Sequence, residues 1–298
     1  MAAKRDAGMT AQAMNRGQVV TRFAPSPTGL LHLGHAYSAV RAFDLARAAG
    51  GRFLLRVEDI DGTRSRAEHV EAILADLAWL GLAWEGPVFQ SDRLDLYAGA
   101  LERLKAAALV YPCFCTRAEV AAASLAAPHA VEAVYPGTCR GLPAPDLSRP
   151  HCWRLDGAKA MSAAATEDGL WWHDATAGRV RADPARHGDV ILARKDAPAS
   201  YHLAVTVDDA AQGVTDVVRG QDLFAATDVH RLLQALLGLP TPRYHHHPLL
   251  VGPDGERLAK RHGSPTLAAM RAAGDDGRTV ADRLRQDNLS IGVRAANA

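Results

Sequence analysis

Two histidines surround one glycine in the segment "SPTGLLHLGHAY", residues 26–37, where a short β-rich run gives way to a helical pattern. A helix N-terminus carries unpaired backbone N–H groups and a partial positive charge, so it attracts phosphate. His32 and His35 can donate hydrogen bonds to phosphate oxygens whose charge grows during displacement, and Gly34 lets a flat base approach the backbone. Histidines at a helix start can equally cap and pack. The strand-to-helix context favours a nucleotide site.

A second basic segment lies far downstream, in "GERLAKRHGS", residues 255–264. This glycine-rich loop carries Arg257, Lys260 and Arg261, which could contact a triphosphate. A basic loop by itself is commonly a solvated surface. Together with the paired histidines, it indicates attack at an α-phosphate with loss of pyrophosphate. The residue chemistry therefore predicts ATP-dependent activation of a carboxylate.

The chain has four cysteines, too few for a disulfide scaffold in a protein of this length. Three of them are clustered in sequence, which favours a metal site. Cys113 and Cys115 are followed by Tyr135 and Cys139, so three thiols and a phenol lie at compact spacing. Thiolates with a nearby oxygen ligand suit tetrahedral zinc. Cys152 is a rival ligand, and reduced, half-buried thiols without metal are the alternative. With no open coordination position, the zinc would be structural.

The histidine segment lies inside a predicted βαβ unit that covers residues 19–59. Residues 19–24 and 52–59 are β-rich, and the apolar spacing between them is helical. Such a unit is parallel and right-handed, and it typically opens a Rossmann-like sheet. Amphipathic helices over 67–84 and 93–111 should cover that sheet.

The downstream loop follows a second predicted α/β half. Residues 189–194 and 201–220 are β-rich, and a helix is predicted over 226–238. Residues 112–188, rich in proline, glycine and alanine, are expected to form a small inserted subdomain that contains the cysteines. The tail from residue 267 is predicted to be helical.

Composition bounds these hypotheses without deciding among them. The 298 residues are 48% hydrophobic and 22% charged, with a formal net charge of +1 and a pI near 7.8. This is typical of a globular protein without a global basic field, so any RNA contact requires a local patch. No apolar run reaches about 18 residues, and residues 1–17 lack an apolar segment. We expect a cytoplasmic protein with a frayed start and no membrane association.

Four segments resemble, in order, the motifs of class I glutamyl-tRNA synthetases over about residues 19–264. They are "RFAPSPTGLLHLGH", "RVEDID", "VVRGQDL" and "GERLAKRHGS". The family's HIGH motif corresponds to His32-Leu33-Gly34-His35, and its KMSKS motif to residues 257–261. The second motif is degenerate: Arg257 retains a positive charge, whereas Ala259 lacks the serine hydroxyl. The resemblance therefore makes Lys260 the principal residue of the loop.

The resemblance also implies a glutamate pocket. Glutamate carries two carboxylates and one ammonium, so its pocket needs cations and an acidic group. Arg22 would hold the side-chain carboxylate, Arg219 the α-carboxylate and Glu58 the ammonium, with Ser26 and Tyr201 completing the pocket. Ordinary ion pairs at strand ends are the alternative. Glutamate is favoured over glutamine because glutaminyl enzymes resemble "PEPNG" where this chain has "PSPTG", and carry Asp at the position of Glu58.

The short C-terminal part implies a different acceptor from that of full-length glutamyl-tRNA synthetases. The sequence ends at residue 298, soon after Ser264, whereas those enzymes continue into helical anticodon-binding domains. With its cysteine pattern, the chain resembles a stand-alone paralogue in which Tyr135 is the fourth zinc ligand. That paralogue transfers glutamate to the queuosine base in the anticodon loop of tRNA(Asp). Basic residues such as Arg271 and Arg285 would contact the RNA backbone.

Two other functions remain open at this point. One is a truncated glutamate-activating enzyme with another acceptor, such as a carrier protein or a small molecule. The other is a catalytically idle paralogue that binds a partner. The expected protein is a ligase and a monomer that uses ATP with Mg²⁺, L-glutamate and one structural Zn²⁺ per chain.

The resulting fold expectation is α/β: a class I synthetase Rossmann-like parallel sheet with a small zinc-binding insertion and a short helical C-terminal region. The expected parts are a flexible N-terminus (1–17), a first Rossmann half (18–111), the insertion (112–188), a second half with the KMSKS-like loop (189–264) and a helical region (265–298).

Overall fold

The computed structural model describes residues 17–116, 118–121, 134–251, 265–286 and 294–295. Its strands are β1 (Val20–Phe23), β2 (Arg52–Val57), β3 (Glu85–Phe89), β4 (Val110–Cys113), β5 (Cys152–Leu155), β6 (Trp171–Asp174), β7 (Gly178–Arg181), β8 (Ile191–Ala193), β9 (Asp216–Gly220), β10 (Arg243–His247), β11 (Leu250–Val251) and β12 (Arg294–Ala295). Its α-helices are α1 (Leu33–Ala48), α2 (Ala67–Trp79), α3 (Leu94–Ala106), α4 (Gly157–Ala163), α5 (Tyr201–Ala211), α6 (Ala226–Leu237), α7 (Leu267–Ala272) and α8 (Gly277–Arg285).

The first half is the predicted parallel βαβ unit with one further strand. β1 pairs with β2 in parallel, from Val20 opposite Arg52 to Phe23 opposite Leu55, and α1 connects them. β3 adds a third parallel strand beside β2. The predicted βαβ unit is confirmed, and α2 and α3 lie within the predicted helical segments. β3 was not predicted, and residues 110–111, expected to end the second helix, begin β4 instead.

The second half forms a neighbouring sheet that meets the first at β1. β9, β10 and β6 are parallel, and β7 is antiparallel at the outer edge. At the junction, the Thr215 backbone N–H donates to the Val20 carbonyl (2.9 Å), and the Val20 N–H donates to the Thr215 hydroxyl (2.8 Å). The order is therefore β3-β2-β1-β9-β10-β6-β7. The carboxyl ends of β1 and β9 lie side by side, which is where ligands bind in such sheets.

The inserted sheet is separate and antiparallel, in the order β4-β5-β8. Strand pairing crosses the boundary expected at residue 188. β6 and β7 precede that residue yet join the sheet of the second half, whereas β8 follows it and pairs with the insertion.

The prediction of β structure throughout 201–220 is wrong for its first part, because residues 201–211 form α5. The segment's β-branched residues, Val205, Thr206 and Val207, favoured a strand locally. All residues from 203 to 209 are buried, so the segment lacks the one-sided pattern of an amphipathic helix. Ser200 begins the helix, where its hydroxyl accepts from the Leu203 N–H at 3.4 Å.

The short C-terminal helices α7 and α8, predicted from the tail, pack on the first half. Met270, Val280 and Leu284 are buried with α1 in one hydrophobic core. A Cβ atom at Gly277 would lie 2.2 Å from the carbonyl oxygen of Trp79, so glycine is needed where α8 meets the end of α2. In the part of the chain that the structure describes, no helix has the length and apolar character needed to cross a membrane.

Candidate active site

A cavity of about 550 Å³ opens at the carboxyl ends of β1, β2 and β9. Eight residues that the sequence singled out line it: Arg22, Ser26, His32, Gly34, His35, Glu58, Tyr201 and Arg219. Arg257, Ala259, Lys260 and Arg261 lie outside the described residues. The described residues on either side of that segment are near the cavity: Leu250 lines it, and Thr266 forms a β-bridge with His32.

The two histidines close the first turn of α1. His32 is the N-cap in extended backbone conformation, and its Nδ1 accepts from the Gly34 N–H at 3.1 Å. In return, the His32 N–H donates to Nδ1 of His35 at 3.2 Å. This is a capping box built from histidines. Since each Nδ1 accepts a backbone proton, the neutral rings carry their own proton on Nε2, the donor form that a phosphate oxygen requires.

Gly34 has a role that the sequence analysis did not foresee. A Cβ atom there would lie 3.0 Å from Cε1 and 3.2 Å from Nδ1 of the His32 ring. A larger residue would therefore require the His32 ring to shift by a few tenths of an ångström. Glycine thus relieves a tight contact with the capping ring.

Arg22 is held in place by a buried carboxylate. Its side chain is 5% exposed, and Nε donates to Oδ1 of Asp209 at 3.0 Å. The same oxygen accepts from Arg56 at 2.9 Å. Burial tends to raise the pKa of Asp209, but the two guanidinium groups outweigh burial and keep this pKa below its usual value. Asp209 is therefore an anion that orients Arg22.

Arg219 is equally buried but has only neutral partners. Its Nε donates to His246 (3.1 Å), and its Nη atoms donate to Tyr201, His230, the Leu223 carbonyl and Thr227. No carboxylate of the described residues lies within ion-pair distance of it. Among the described residues its positive charge thus has no ion-pair partner, although Asp222 also lines the cavity, and such a cation suits an anionic ligand.

Within the described part of the chain, Glu58 is one of two acidic residues that line the cavity, the other being Asp222. Its side chain is 9% exposed, and among the described residues Oε1 has no hydrogen-bond partner; the nearest cation is Arg56 at 3.6 Å. Burial raises the pKa of Glu58 to about 7, although Arg56 and Arg22 oppose this. A buried carboxylate without a donor can accept from a cationic ligand such as an ammonium group.

The predicted metal ligands are brought together in the insertion. The sulfur atoms of Cys113, Cys115 and Cys139 all lie within 4.8 Å of one another. The Tyr135 hydroxyl is 3.3 Å from the Cys113 sulfur and 3.5 Å from that of Cys115. With zinc–sulfur bonds of about 2.3 Å, tetrahedral ligands lie about 3.8 Å apart, so three thiols and the phenol fit a zinc ion.

Cys152 is placed differently from the other three. Its thiol donates to the Cys113 carbonyl at 3.5 Å, and it belongs to no metal-sized group among the described residues. Burial raises its pKa to about 11. Burial raises the pKa of Cys115 to about 11 as well, whereas at Cys113 burial is outweighed by hydrogen bonds with Tyr135 and Arg154, which lower the pKa to about 7. The pKa values thus do not separate Cys152 from the other thiols. The geometry therefore favours Tyr135 over Cys152 as the fourth ligand.

The two arginines expected to contact RNA are already paired within the protein. Arg271 donates to the buried carboxylate of Asp76 at 3.2 Å. Arg285 bonds Asp44 at 2.9 Å and Asp282 at 2.7 Å. The side chains of Arg271 and Arg285 are 39% and 35% exposed, respectively. Any contact with a phosphate would compete with these ion pairs.

Sequence reasoning missed three histidines near the cavity. His247 lines it and bonds the Ser38 hydroxyl at 2.8 Å, while His246 and His230 contact Arg219. The run "HHH" at 245–247 was the available signal, because it ends a strand at the ligand-binding edge of the sheet.

Comparisons with known proteins agree with this geometry. A family described as tRNA synthetases class I (E and Q), catalytic domain, matches residues 18–286. A protein of Rhodobacter capsulatus named glutamyl-Q tRNA(Asp) synthetase is 50% identical, over 86% of this chain and 96% of the relative. One of the same name from Symbiobacterium thermophilum is 47% identical, over 88% and 84%.

A solved structure extends the comparison to the fold. The glutamate-tRNA synthetase of Elizabethkingia anophelis superposes with a TM-score of 0.76 at 25% identity and covers 92% of this chain. This chain spans 63% of that longer protein. The chain belongs to the class I tRNA synthetase (E and Q) catalytic-domain family.

Proposed function

We propose that the chain activates L-glutamate with ATP to form glutamyl-adenylate, without tRNA, and transfers the glutamate to the queuosine base in the anticodon loop of tRNA(Asp). The observation that carries the first step is the single cavity shared by the capping histidines, two buried arginines and Glu58. Mg²⁺ would accompany ATP, and the enzyme would work as a monomer in the cytoplasm.

The charges of the cavity match the charges of glutamate. Arg22 and Arg219 would each take one carboxylate, Arg22 that of the side chain and Arg219 the α-carboxylate, while Glu58 takes the ammonium. Ser26 and Tyr201 complete the pocket. Because Asp209 already pairs with Arg22, glutamine would lose only the charge-assisted hydrogen bond between its side chain and Arg22, about 1.5 to 3 kcal/mol.

The chemistry of activation needs groups that act on phosphate. The α-carboxylate of glutamate attacks the α-phosphorus of ATP, the bond to the β-phosphate oxygen breaks, and pyrophosphate leaves. His32 and His35 would donate hydrogen bonds to the phosphate oxygens as charge accumulates. Lys260, with Arg257, would add positive charge from the downstream loop.

The acceptor is inferred from the relatives. The chain spans 96% of a relative whose name specifies tRNA(Asp), but 63% of the solved glutamate-tRNA synthetase. A hydroxyl of the queuosine cyclopentene diol can attack the carbonyl carbon of the glutamyl-adenylate as a ribose hydroxyl would; the bond to the phosphate oxygen breaks, AMP leaves and the hydroxyl proton is released. The anticodon loop would approach the cavity with one unstacked base inserted.

The first prediction concerns activation alone. The purified chain should exchange radiolabelled pyrophosphate into ATP when glutamate is present and no tRNA is added, because the proposed groups all belong to the chain. Glutamine at the same concentration should support little exchange. A strict requirement for tRNA, or equal use of glutamine, would contradict the proposed pocket.

The second prediction concerns pH. Glu58 must be ionised to accept the ammonium, and its pKa in the free protein is about 7. Glutamate affinity, measured by calorimetry without ATP, should therefore be nearly constant between pH 8 and pH 9, fall about fivefold between pH 7 and pH 6, and approach one decade per pH unit below pH 6. Glu58→Gln should bind weakly at every pH, with no such slope. A slope retained in Glu58→Gln would assign the titration to another group.

The third prediction concerns zinc, which would hold the insertion together when bound. One zinc per chain should be found by elemental analysis, and Cys139→Ala should lose it and lower the thermal stability. Cys152→Ala is the matched control, because Cys152 is a buried cysteine of the same insertion and should not be needed to keep the metal. Loss of zinc from both variants, or from neither, would disprove the assigned ligand set.

The fourth prediction identifies the acceptor. With radiolabelled glutamate, tRNA(Asp) containing queuosine should be labelled, whereas tRNA(Asp) without the modification and tRNA(Glu) should not. Nuclease digestion should place the label in the anticodon loop. Label at the 3′-terminal adenosine would favour a truncated conventional synthetase, and exchange activity without labelling of any tRNA would favour a different acceptor.

A further inference from the structure

Arg219 donates a hydrogen bond to His246, and the buried carboxylate of Asp174 orients the His246 ring. Nε2 of His246 accepts from Nε of Arg219 at 3.1 Å. On the other side of the ring, Nδ1 lies 2.8 Å from Oδ2 of Asp174, which also accepts the His246 backbone N–H at 3.1 Å. Asp174, at the end of β6, is thus connected to Arg219 indirectly, through hydrogen bonds to the His246 ring.

The hydrogen-bond network allows only one arrangement of protons. A guanidinium can only donate, so Nε2 of His246 must be an acceptor and the ring proton must lie on Nδ1, facing Asp174. Burial and the charge of Arg219 lower the pKa of His246 to about 4, although Asp174 raises it. At neutral pH the ring is therefore uncharged and keeps its acceptor for Arg219.

Asp174 is itself fully committed as an acceptor. Oδ1 takes the backbone N–H groups of Thr176 and Ala177, both at 2.9 Å, while Oδ2 takes the two N–H groups of His246. The side chain is 1% exposed. No amide could replace it, because an amide nitrogen cannot accept on either side.

We propose that His246 and Asp174 are positioning residues for the substrate carboxylate: Asp174 fixes the tautomer of His246, which in turn fixes the direction of the Arg219 guanidinium towards the cavity. This proposal rests on the proposed function, in which Arg219 binds a carboxylate of glutamate. Because the group that contacts Arg219 is the neutral His246 ring, it orients the cation without forming an ion pair that would compete with an anionic ligand.

The aromatic surroundings fit this role. The His246 ring stacks on Tyr244 with centroids 5.8 Å apart and an interplanar angle of 6°, and Trp172 and Phe224 contact it at 5.8 and 5.0 Å. The ring therefore has little freedom to turn away from Arg219. A phenylalanine would fill the same space but offer no acceptor.

The test compares glutamate affinity with ATP usage in four proteins. His246→Phe should weaken glutamate binding by about tenfold or more, the loss expected for one hydrogen bond to a charged group, and leave the KM for ATP unchanged. His246→Gln, whose amide oxygen can reach the position of Nε2, should recover at least about threefold of that loss. His245→Phe is the matched control: it lies on the same strand, bonds Asp216 at 2.7 Å and does not line the cavity.

Each outcome decides one question. The positioning role would be overturned if His246→Phe weakened the binding of glutamate and of ATP equally. It would also be overturned if His246→Gln did not recover glutamate affinity, or if His245→Phe lost as much glutamate affinity as His246→Phe. If His246→Phe does not fold, Asp174→Asn, which preserves shape, must show the selective loss of glutamate affinity; unchanged affinity would overturn the proposal. Absence of glutamate-dependent exchange in the unaltered chain would instead contradict the proposed function itself.

Discussion

The carboxylate of Asp209 is the contact on which the site depends. It accepts from Arg22 of β1 and Arg56 of β2 at 3.0 and 2.9 Å, and it belongs to α5 of the second half. Two buried cations from the strands of the first half thus share one anion from a helix of the second, and Asp208 of the same helix lies 3.7 Å from Arg56. Removing such an anion leaves buried positive charge, which typically costs about 3 to 5 kcal/mol. The same buried ion pair therefore joins the two halves and fixes the position of Arg22.

Two other charged residues of the cavity, Arg219 and Glu58, are not paired within the protein in the way that Arg22 is. Arg219 is surrounded by neutral acceptors, and Glu58 has one carboxylate oxygen without a donor among the described residues. Both groups are costly to bury in this form, and both become satisfied when a ligand supplies the opposite charge. Burying these groups thus lowers the stability of the free protein and favours a ligand with matching charges.

What could be predicted from the sequence follows from how local each contact is. His32, Gly34 and His35 act within one helical turn, and Arg22 and Arg219 end parallel strands, so pattern and topology together place them. The helix at 201–211 was missed because its β-branched residues are buried on every side. The contact between Asp174 and His246 spans 72 residues and joins strands that only the fold makes neighbours. Spacing alone carries no information about such a pair.

The histidine capping box also ties chemistry to local folding. The ring nitrogens that complete the first turn of α1 belong to the two side chains that face the cavity wall. If that turn frays, both rings leave their positions at once, because each depends on a backbone group of the other. Partially folded chains, in which the helix start is open, therefore lack the paired imidazoles altogether. This part of the cavity therefore forms together with the first turn of the helix that carries it.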